Sequence, residues 1–280
     1  MGCGDVLEPV AGAERDGAVD AAASDAPVER DATERADADD DDARGADASV
    51  APDGSRPDAG QQACDYRFGS DGVVRIEAED LPLVEDWAVQ SDVSGFSGRG
   101  YITWTGSSSN NRPGNGYMAV RLRVPNAGRY RLQWRNRIGR GTNTTEHNDT
   151  WVRFPDATDS YGKRGPIDDE SRRYPRPICE DDAFMAAVRE RVASAECARG
   201  STRDGWMKVY SSGARDWRWS TRTSDSDAHD IYAAFDAAGV YTLELSARAD
   251  FHFIDRIVLH EETVDRVVVE AAEAPTPCTN

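Results

Sequence analysis

The chain has 280 residues and a formal charge of −18, from 51 Asp and Glu against 33 Lys and Arg. Up to Ala63 there are 17 acidic residues, 5 Arg and no aromatic residue, so most of the charge lies there and the remainder is only mildly acidic. Arginines interleaved with carboxylates form no basic stripe, which argues against a nucleic-acid partner.

Residues 1–63 are built from Asp, Ala, Glu, Arg, Gly and Pro and contain the run Asp39-Asp40-Asp41-Asp42. Such a segment buries too little apolar surface to offset its chain entropy and is predicted to be a disordered, solvated tether. Met1-Gly2-Cys3-Gly4-Asp5 ahead of it is similar to the start of a mature bacterial lipoprotein, with Cys3 as a possible lipid anchor and the true start upstream. The myristoylation pattern is not met, because position 6 is Val. No stretch approaches the ~18 apolar residues of a membrane-crossing helix. The expected location is therefore outside the cell, secreted or on its surface as a lipoprotein.

Cys64 and Cys278 bracket the expected folded region, 64–278, and Cys179 and Cys197 bracket a candidate helix. Two disulfides, with Cys3 left over, fit an oxidising compartment; four cysteines allow three connectivities, and spacing does not choose among them. No ligand spacing for zinc occurs.

From Val73 onward the dominant period is two, which predicts strands with one wet face. Met118, Val120, Leu122 and Val124 alternate with polar or small residues, as do Tyr130, Leu132 and Trp134, and Tyr241, Leu243 and Leu245. Further strands are predicted over 73–79, 101–105, 149–154, 206–210, 217–221, 230–235 and 253–259. Short strands with Gly, Asn and Asp turns imply an all-β protein, a two-sheet β-sandwich in one domain. Two connections echo one another, Ala127-Gly128-Arg129-Tyr130-Arg131-Leu132 and Ala238-Gly239-Val240-Tyr241-Thr242-Leu243, and both read as hairpins with Gly in the turn. Between 156 and 205 the pattern lapses, and the segment reads as an insertion made of a polar loop and one helix. That helix is predicted over 181–196, capped by Asp181 or Asp182, with Phe184, Val188, Val192 and Ala195 on one face.

Acidic side chains stand where strands would otherwise stay apolar. Glu77 and Glu79 are two apart and in an extended strand would share a face, about 7 Å from one another. Asp255, brought alongside by the final strand, would complete a hard-oxygen set suited to calcium. An ordinary solvent-facing strand edge accounts for the same pattern.

Several segments in order resemble the family 6 and family 35 carbohydrate-binding modules. They are Ile76-Glu77-Ala78-Glu79, Ser97-Gly98-Arg99-Gly100-Tyr101-Ile102, the two Ala-Gly-x-Tyr-x-Leu repeats, Trp217-x-Trp219-x-Thr221 and Ile254-Asp255-Arg256-Ile257-Val258-Leu259. The resemblance implies a jelly-roll β-sandwich with a structural Ca2+ held by Glu77, Glu79, the Arg99–Gly100 turn and Asp255. It also implies a glycan cleft at one end, with Tyr101 and Trp217 or Trp219 in it. The family's cleft asparagine before the last strand is absent, since Phe253 stands there beside His252.

Sugar rings stack their C–H faces on indole or phenol rings and place hydroxyls against fixed planar donors and acceptors. Trp104, Trp217 and Trp219, in or beside turn-rich segments, are cleft candidates, whereas Trp134 alternates with Leu132 and Tyr130 and is expected in the core. Asn148, in the loop 143–149, together with Arg248 and His252, is the expected polar contribution. The chain carries no G-x-S-x-G, H-E-x-x-H or P-loop motif. His147 beside Asp149, and His229 between Asp227 and Asp230, read as polar loop residues. The expectation is a monomer that binds polysaccharide or glycan without catalysis. A stalked adhesin or protein-interaction domain and, below it, a glycan-active enzyme are the alternatives.

Overall fold

The computed structural model describes residues 60–165, 170–200, 204–213 and 215–280, with side chains from Cys64 onward. The tether expected over 1–63 and the candidate anchor Cys3 lie outside the described residues, apart from the backbone from Gly60. In chain order come β1 (Gly60–Arg67), β2 (Val73–Glu77), β3 (Trp87–Gln90), β4 (Tyr101–Trp104) and β5 (Pro113–Gly116). Next are β6 (Met118–Val124), β7 (Gly128–Ile138), β8 (Asp149–Arg153), β9 (Asp159–Lys163), β10 (Ser171–Tyr174), α1 (Asp182–Arg189) and β11 (Ser194–Cys197). The chain closes with β12 (Met207–Tyr210), β13 (Arg218–Trp219), β14 (Asp230–Phe235), β15 (Gly239–Ser246), β16 (His252–Glu261), α2 (Arg266–Val269) and β17 (Cys278–Thr279).

The fold is the expected all-β sandwich. One sheet runs β12-β8-β15-β6-β1-β17, and the other runs β11-β10-β9-β14-β7-β16-β4-β3, with β13 beside β7 and β2 beside β16. Alternation does what the period predicted: Val120 and Leu122 of β6, Leu132 and Trp134 of β7, and Leu243 and Leu245 of β15 are fully buried between the sheets. Both disulfides form, Cys64–Cys278 and Cys179–Cys197.

The two Ala-Gly turns are not hairpins. β6 and β7 lie in different sheets, as do β14 and β15, so each turn carries the chain across the sandwich. The echo survives in three dimensions. The Tyr130 hydroxyl donates to the Asn126 carbonyl at 3.0 Å, and that of Tyr241 to the Ala237 carbonyl at 2.9 Å. Each tyrosine pins the turn four residues behind it, as the tyrosine corner of immunoglobulin-type sandwiches does.

The insertion differs more. Asp181 does cap α1, accepting from the Phe184 N–H at 2.9 Å, but the helix stops at Arg189 and residues 194–197 form β11, parallel to β10. The Arg189 guanidinium turns back onto the Ala195 carbonyl, and the Cys197–Cys179 bond returns the chain to the foot of the helix. β9, β10 and β11 widen the larger sheet, and Tyr161, Tyr174, Met185, Val188 and Tyr232 form a small core of their own on its outer side. The strand expected over 73–79 ends at Glu77; Ala78–Asp80 is a turn of 3-10 helix.

Candidate functional site

The three acidic side chains singled out by sequence do converge. Glu77, Glu79 and Asp255 are 3%, 4% and 0% exposed, and the loop Ser97–Gly100 closes over all three. The Ser97 hydroxyl lies 2.8 Å from Glu77 Oε2 and its amide donates to Asp255 Oδ1 at 2.7 Å. The Arg99 and Gly100 amides donate to Glu79 Oε1 at 2.7 and 3.2 Å. Gly98, at φ +62°, leaves no room for a side chain, since a Cβ there would sit 2.3 Å from Glu79 Oε1.

Strand spacing does not account for the convergence, because Glu79 lies beyond the strand end; the 3-10 turn swings it beneath the loop instead. Burial raises the pKa of both Glu79 and Asp255, and the Glu77 charge pushes the same way, while the Arg135 hydrogen bond opposes the rise at Asp255. Two guanidiniums hold the cluster from outside, Arg256 on Glu77 and Arg135 on Asp255. Among the described residues no group of three or more His, Cys, Asp or Glu side chains is placed to hold a metal ion. The chemistry of the donors nonetheless suits a hard cation: all are carboxylates, and buried Glu79 Oε2 has no hydrogen-bond partner among the described residues.

The seven ligand-binding residues expected to share one cleft fall into separate places. Tyr101, Trp104 and His252 are buried at 0%, 3% and 0% exposure and present no ring to solvent. Tyr101 donates its hydroxyl to Asp92 and packs against Phe253, ring centroids 4.5 Å apart. Trp104 meets Trp87 edge to face beside Gly106 and Gly116 and donates its N–H to the Ser107 carbonyl at 3.0 Å. His252 joins the Thr150 hydroxyl at 2.8 Å and stacks on Trp134, and burial pushes its pKa down to about 3. The burial of all three has one cause. β4 and the start of β16 lie within the larger sheet, and loops cover residues that look terminal in sequence.

Trp217 is half-buried at the loop end. Its N–H donates to the Ser94 carbonyl at 3.0 Å, its ring meets the edge of Tyr101 at 5.2 Å, and the guanidinium carbons of Arg135 and Arg137 each lie 5.6 Å from its centroid. Asn148 and Arg248 line a different feature, an open cleft of about 420 Å³ that also takes in Ser108, Asn110, His147, Asp149, Lys208 and Asp250. Within it Arg248 holds Asp149 and lies 4.7 Å from the Trp151 ring, and Lys208 stands 3.7 Å from the same carboxylate. Asp250 is held by the Ser108 hydroxyl at 2.8 Å and by His147 Nδ1 at 2.9 Å. Asn148 is itself buried, its amide donating to the Ser211 carbonyl at 3.0 Å, so it shapes the wall more than it offers a donor. Trp219 borders a third hollow, away from Asn148 and Arg248.

Sequence reasoning missed Lys208, an alternate residue of β12, and Asp250, which sits in a connection with no periodicity. It placed His147 in the polar loop 143–149 and beside Asp149, whereas the imidazole reaches across to Asp250.

No family model matches the chain, and no curated protein matches it. Among solved structures the chain is similar to the Podospora anserina GH26-CBM35 β-(1,4)-mannanase, at 15% identity and TM-score 0.37 over 74% of this chain and 29% of that one. It is also similar to a family 35 carbohydrate binding module from Clostridium thermocellum, at 14% identity and TM-score 0.36 over 67% of this chain and 96% of that one. A third is the CBM35 from Cellvibrio japonicus Abf62, at 14% identity and TM-score 0.34, covering 69% and 96%. The chain thus spans less than a third of the mannanase. All three TM-scores lie below 0.5, and none of these likenesses says what this chain binds.

Proposed function

We propose that this protein binds a polysaccharide or glycan without catalysis, at the loop end of its sandwich, and that calcium braces that end at Glu77, Glu79 and Asp255. The observation that carries the reading is a half-buried indole, Trp217, flanked by Arg135 and Arg137 at an end that also opens into a neutralised polar cleft of about 420 Å³. Indole faces take the C–H side of a sugar ring, and fixed guanidinium, amide and hydroxyl groups take its hydroxyls.

The ionised groups of the cleft support binding over reaction. Asp149 is held by Arg248, and Asp250 by Ser108 and His147. Groups so engaged orient a hydroxyl ligand, and removing protons from it would mean breaking these contacts first. The calcium part rests on the orphaned Glu79 Oε2 and the all-carboxylate donor set; a bound ion would supply charge compensation at the root of the Ser97–Gly100 loop. Two disulfides suit an oxidising, extracellular setting, with the acidic segment as tether and Cys3 as a lipid anchor in a monomeric surface protein.

Affinity electrophoresis through gels containing mannan, xylan, agar or pectin tests the function. Retardation on at least one of them is expected, and Trp217→Ala should weaken it by about 2 kcal/mol, the usual cost of removing a tryptophan anchor. Free migration through every gel, or release of reducing sugar, would overturn the reading.

A further inference from the structure

The open cleft of about 420 Å³ has a floor and a rim of different chemistry. On the floor the cations are spent. Arg248 holds Asp149 and Lys208 holds Asp225, so neither can turn to a ligand without leaving a carboxylate behind. The rim is built by the connection between β7 and β8 and by the one between β15 and β16. In the first, the Asn143 carboxamide oxygen accepts from the Thr145 amide at 3.1 Å and from its hydroxyl at 2.9 Å, and the turn so fixed leads into the exposed Glu146. His147 follows at φ +53°, and Phe251 of the second connection stands at φ +55°, their rings 6.1 Å apart. Side chains of this size rarely take left-handed backbone, and such strain gathers at ligand sites.

The groups within a ligand's reach on this rim are acceptors, apart from the exposed Asn110 carboxamide, which serves either way. His147 is 22% exposed, and its Nδ1 faces two acceptors, the Asp250 carbonyl and Oδ1, both at 2.9 Å. In the neutral ring the proton therefore sits on Nδ1, and Nε2 is a bare acceptor. Asp250, also 22% exposed, takes the Ser108 hydroxyl and His147 on Oδ1, while Oδ2 has Arg140 at 3.7 Å, beyond hydrogen-bond length. Glu146 has no hydrogen-bond or ion-pair partner among the described residues. Charge agrees with this inventory. Glu146, Asp149 and Asp250 line the cleft against Lys208 and Arg248, three carboxylates to two cations, and the outer partners Asp225 and Arg140 leave the same excess of one. The unanswered carboxylate is Glu146.

A ligand that complements such a rim brings donors and positive charge, and no carboxylate or sulfate of its own, which Glu146 and Asp250 would repel. Among saccharides this describes an amino sugar. Its ammonium makes charge-assisted hydrogen bonds roughly twice as strong as those of a hydroxyl, and its hydroxyls donate to the remaining acceptors. A net charge of −18 on the whole chain also draws a polycation toward the protein. We propose that the open cleft takes an amino sugar, with its ammonium on the Glu146 carboxylate and its hydroxyls on His147 Nε2, Asp250 Oδ2 and Asn110, so that the polysaccharide bound is a cationic polymer of glucosamine type. This rests on the glycan reading above and adds the charge of the ligand to it.

Calorimetric titration at neutral pH with a glucosamine tetrasaccharide, its fully N-acetylated counterpart and tetralysine provides the test. Acetylation removes the charge and keeps the rings, whereas tetralysine keeps charge and removes the rings. The free amine should bind about tenfold or more tightly than the acetylated form, the worth of one hydrogen bond to a charged group, and added salt should shrink that margin. Glu146→Gln should abolish the margin. Glu190→Gln, which removes the same charge from the exposed C-terminal end of α1, should keep it. Equal affinity for the two saccharides, no binding of either, a margin that survives Glu146→Gln, or tetralysine binding as tightly as the amino sugar overturns the assignment. The glycan reading outlives that result if a neutral polysaccharide gel still retards the protein and Trp217→Ala weakens the retardation; free migration through every gel, with neither saccharide bound, overturns both.

Discussion

Two acidic clusters lie in this molecule, and their difference lies in who answers the charge. At Glu77, Glu79 and Asp255 the partners are two guanidiniums, Arg256 buried and Arg135 a quarter exposed, and the amides of a loop that seals the site, and one carboxylate oxygen is left without a partner. At Asp149 and Asp250 the partners are Arg248, Lys208, Ser108 and His147 beside an open cleft; Asp149 is itself 3% exposed with Oδ1 unpartnered among the described residues, whereas the Asp250 side chain is 22% exposed. Carboxylates of the same type therefore carry different work. Sealed, they hold elements together; at the rim, Asp250 presents oxygen atoms to the cleft. Substitutions in the first cluster should show up in stability, and substitutions in the second in binding.

The largest separation is expected at Asp255. It is wholly buried and holds Arg135, so Asp255→Ala leaves that guanidinium uncompensated and should cost about 3–5 kcal/mol, read as a lower denaturation midpoint in urea. A chelator should lower the melting temperature of the wild type, because a ligand of the folded state alone stabilises it by mass action, and should leave Asp255→Ala unmoved. An unchanged wild-type melt with chelator would show the cluster to be held by its arginines alone.

The histidines repeat the contrast on a smaller scale. His252 is sealed beside Trp134 with a pKa of about 3, whereas His147 stands at the cleft. Below pH 6.5 the unfolded chain takes up a proton at position 252 that the folded state refuses until about pH 3, so stability falls with pH across that window and is flat above it. Between pH 6.5 and pH 4 the loss is roughly 3 kcal/mol. Burial of Glu79 and Asp255, whose pKa values are raised, acts in the opposite direction, so the informative quantity is the difference from His252→Gln. That variant should be less stable at pH 7.5 but lose less on acidification. Parallel curves for the two proteins would remove the assignment.

How much of this was legible beforehand follows the same division. Strands with one apolar face, β6, β7 and β15, announce themselves by alternation, and the echoed Tyr-x-Leu segments even mark equivalent turns. The carboxylate trio was legible as chemistry, though by the wrong geometry, since a 3-10 turn and not strand spacing delivers Glu79. β9 and β10 were hidden because charged residues fill their buried positions. Lys163 is fully buried on Glu262, and Arg173, 6% exposed, is held by Asp227 at 2.5 Å. Ion pairs that form only across strands erase the hydrophobic period that local pattern reading needs. The cleft was half legible for a related reason. Residue type names aromatic and polar candidates, but whether Tyr101 faces water is decided by Asp92 and Phe253, far away in the pattern and adjacent in space.

Asp250 gives the smallest effect on stability and the clearest contrast with Asp255. Its side chain is 22% exposed, and its partners Arg140, at 3.7 Å, and His147 lie at the cleft rim. Solvent screens such pairs, so Asp250→Ala should change the unfolding free energy by less than about 1 kcal/mol. Its carboxylate nevertheless fixes the Ser108 hydroxyl and the His147 ring, two polar groups that line the open cleft. Retardation on whichever polysaccharide gel slows the wild type should therefore fall about tenfold while the melt stays in place. Equal losses of stability at positions 250 and 255, or unaltered retardation in Asp250→Ala, would break the division between a sealed structural cluster and an open binding one.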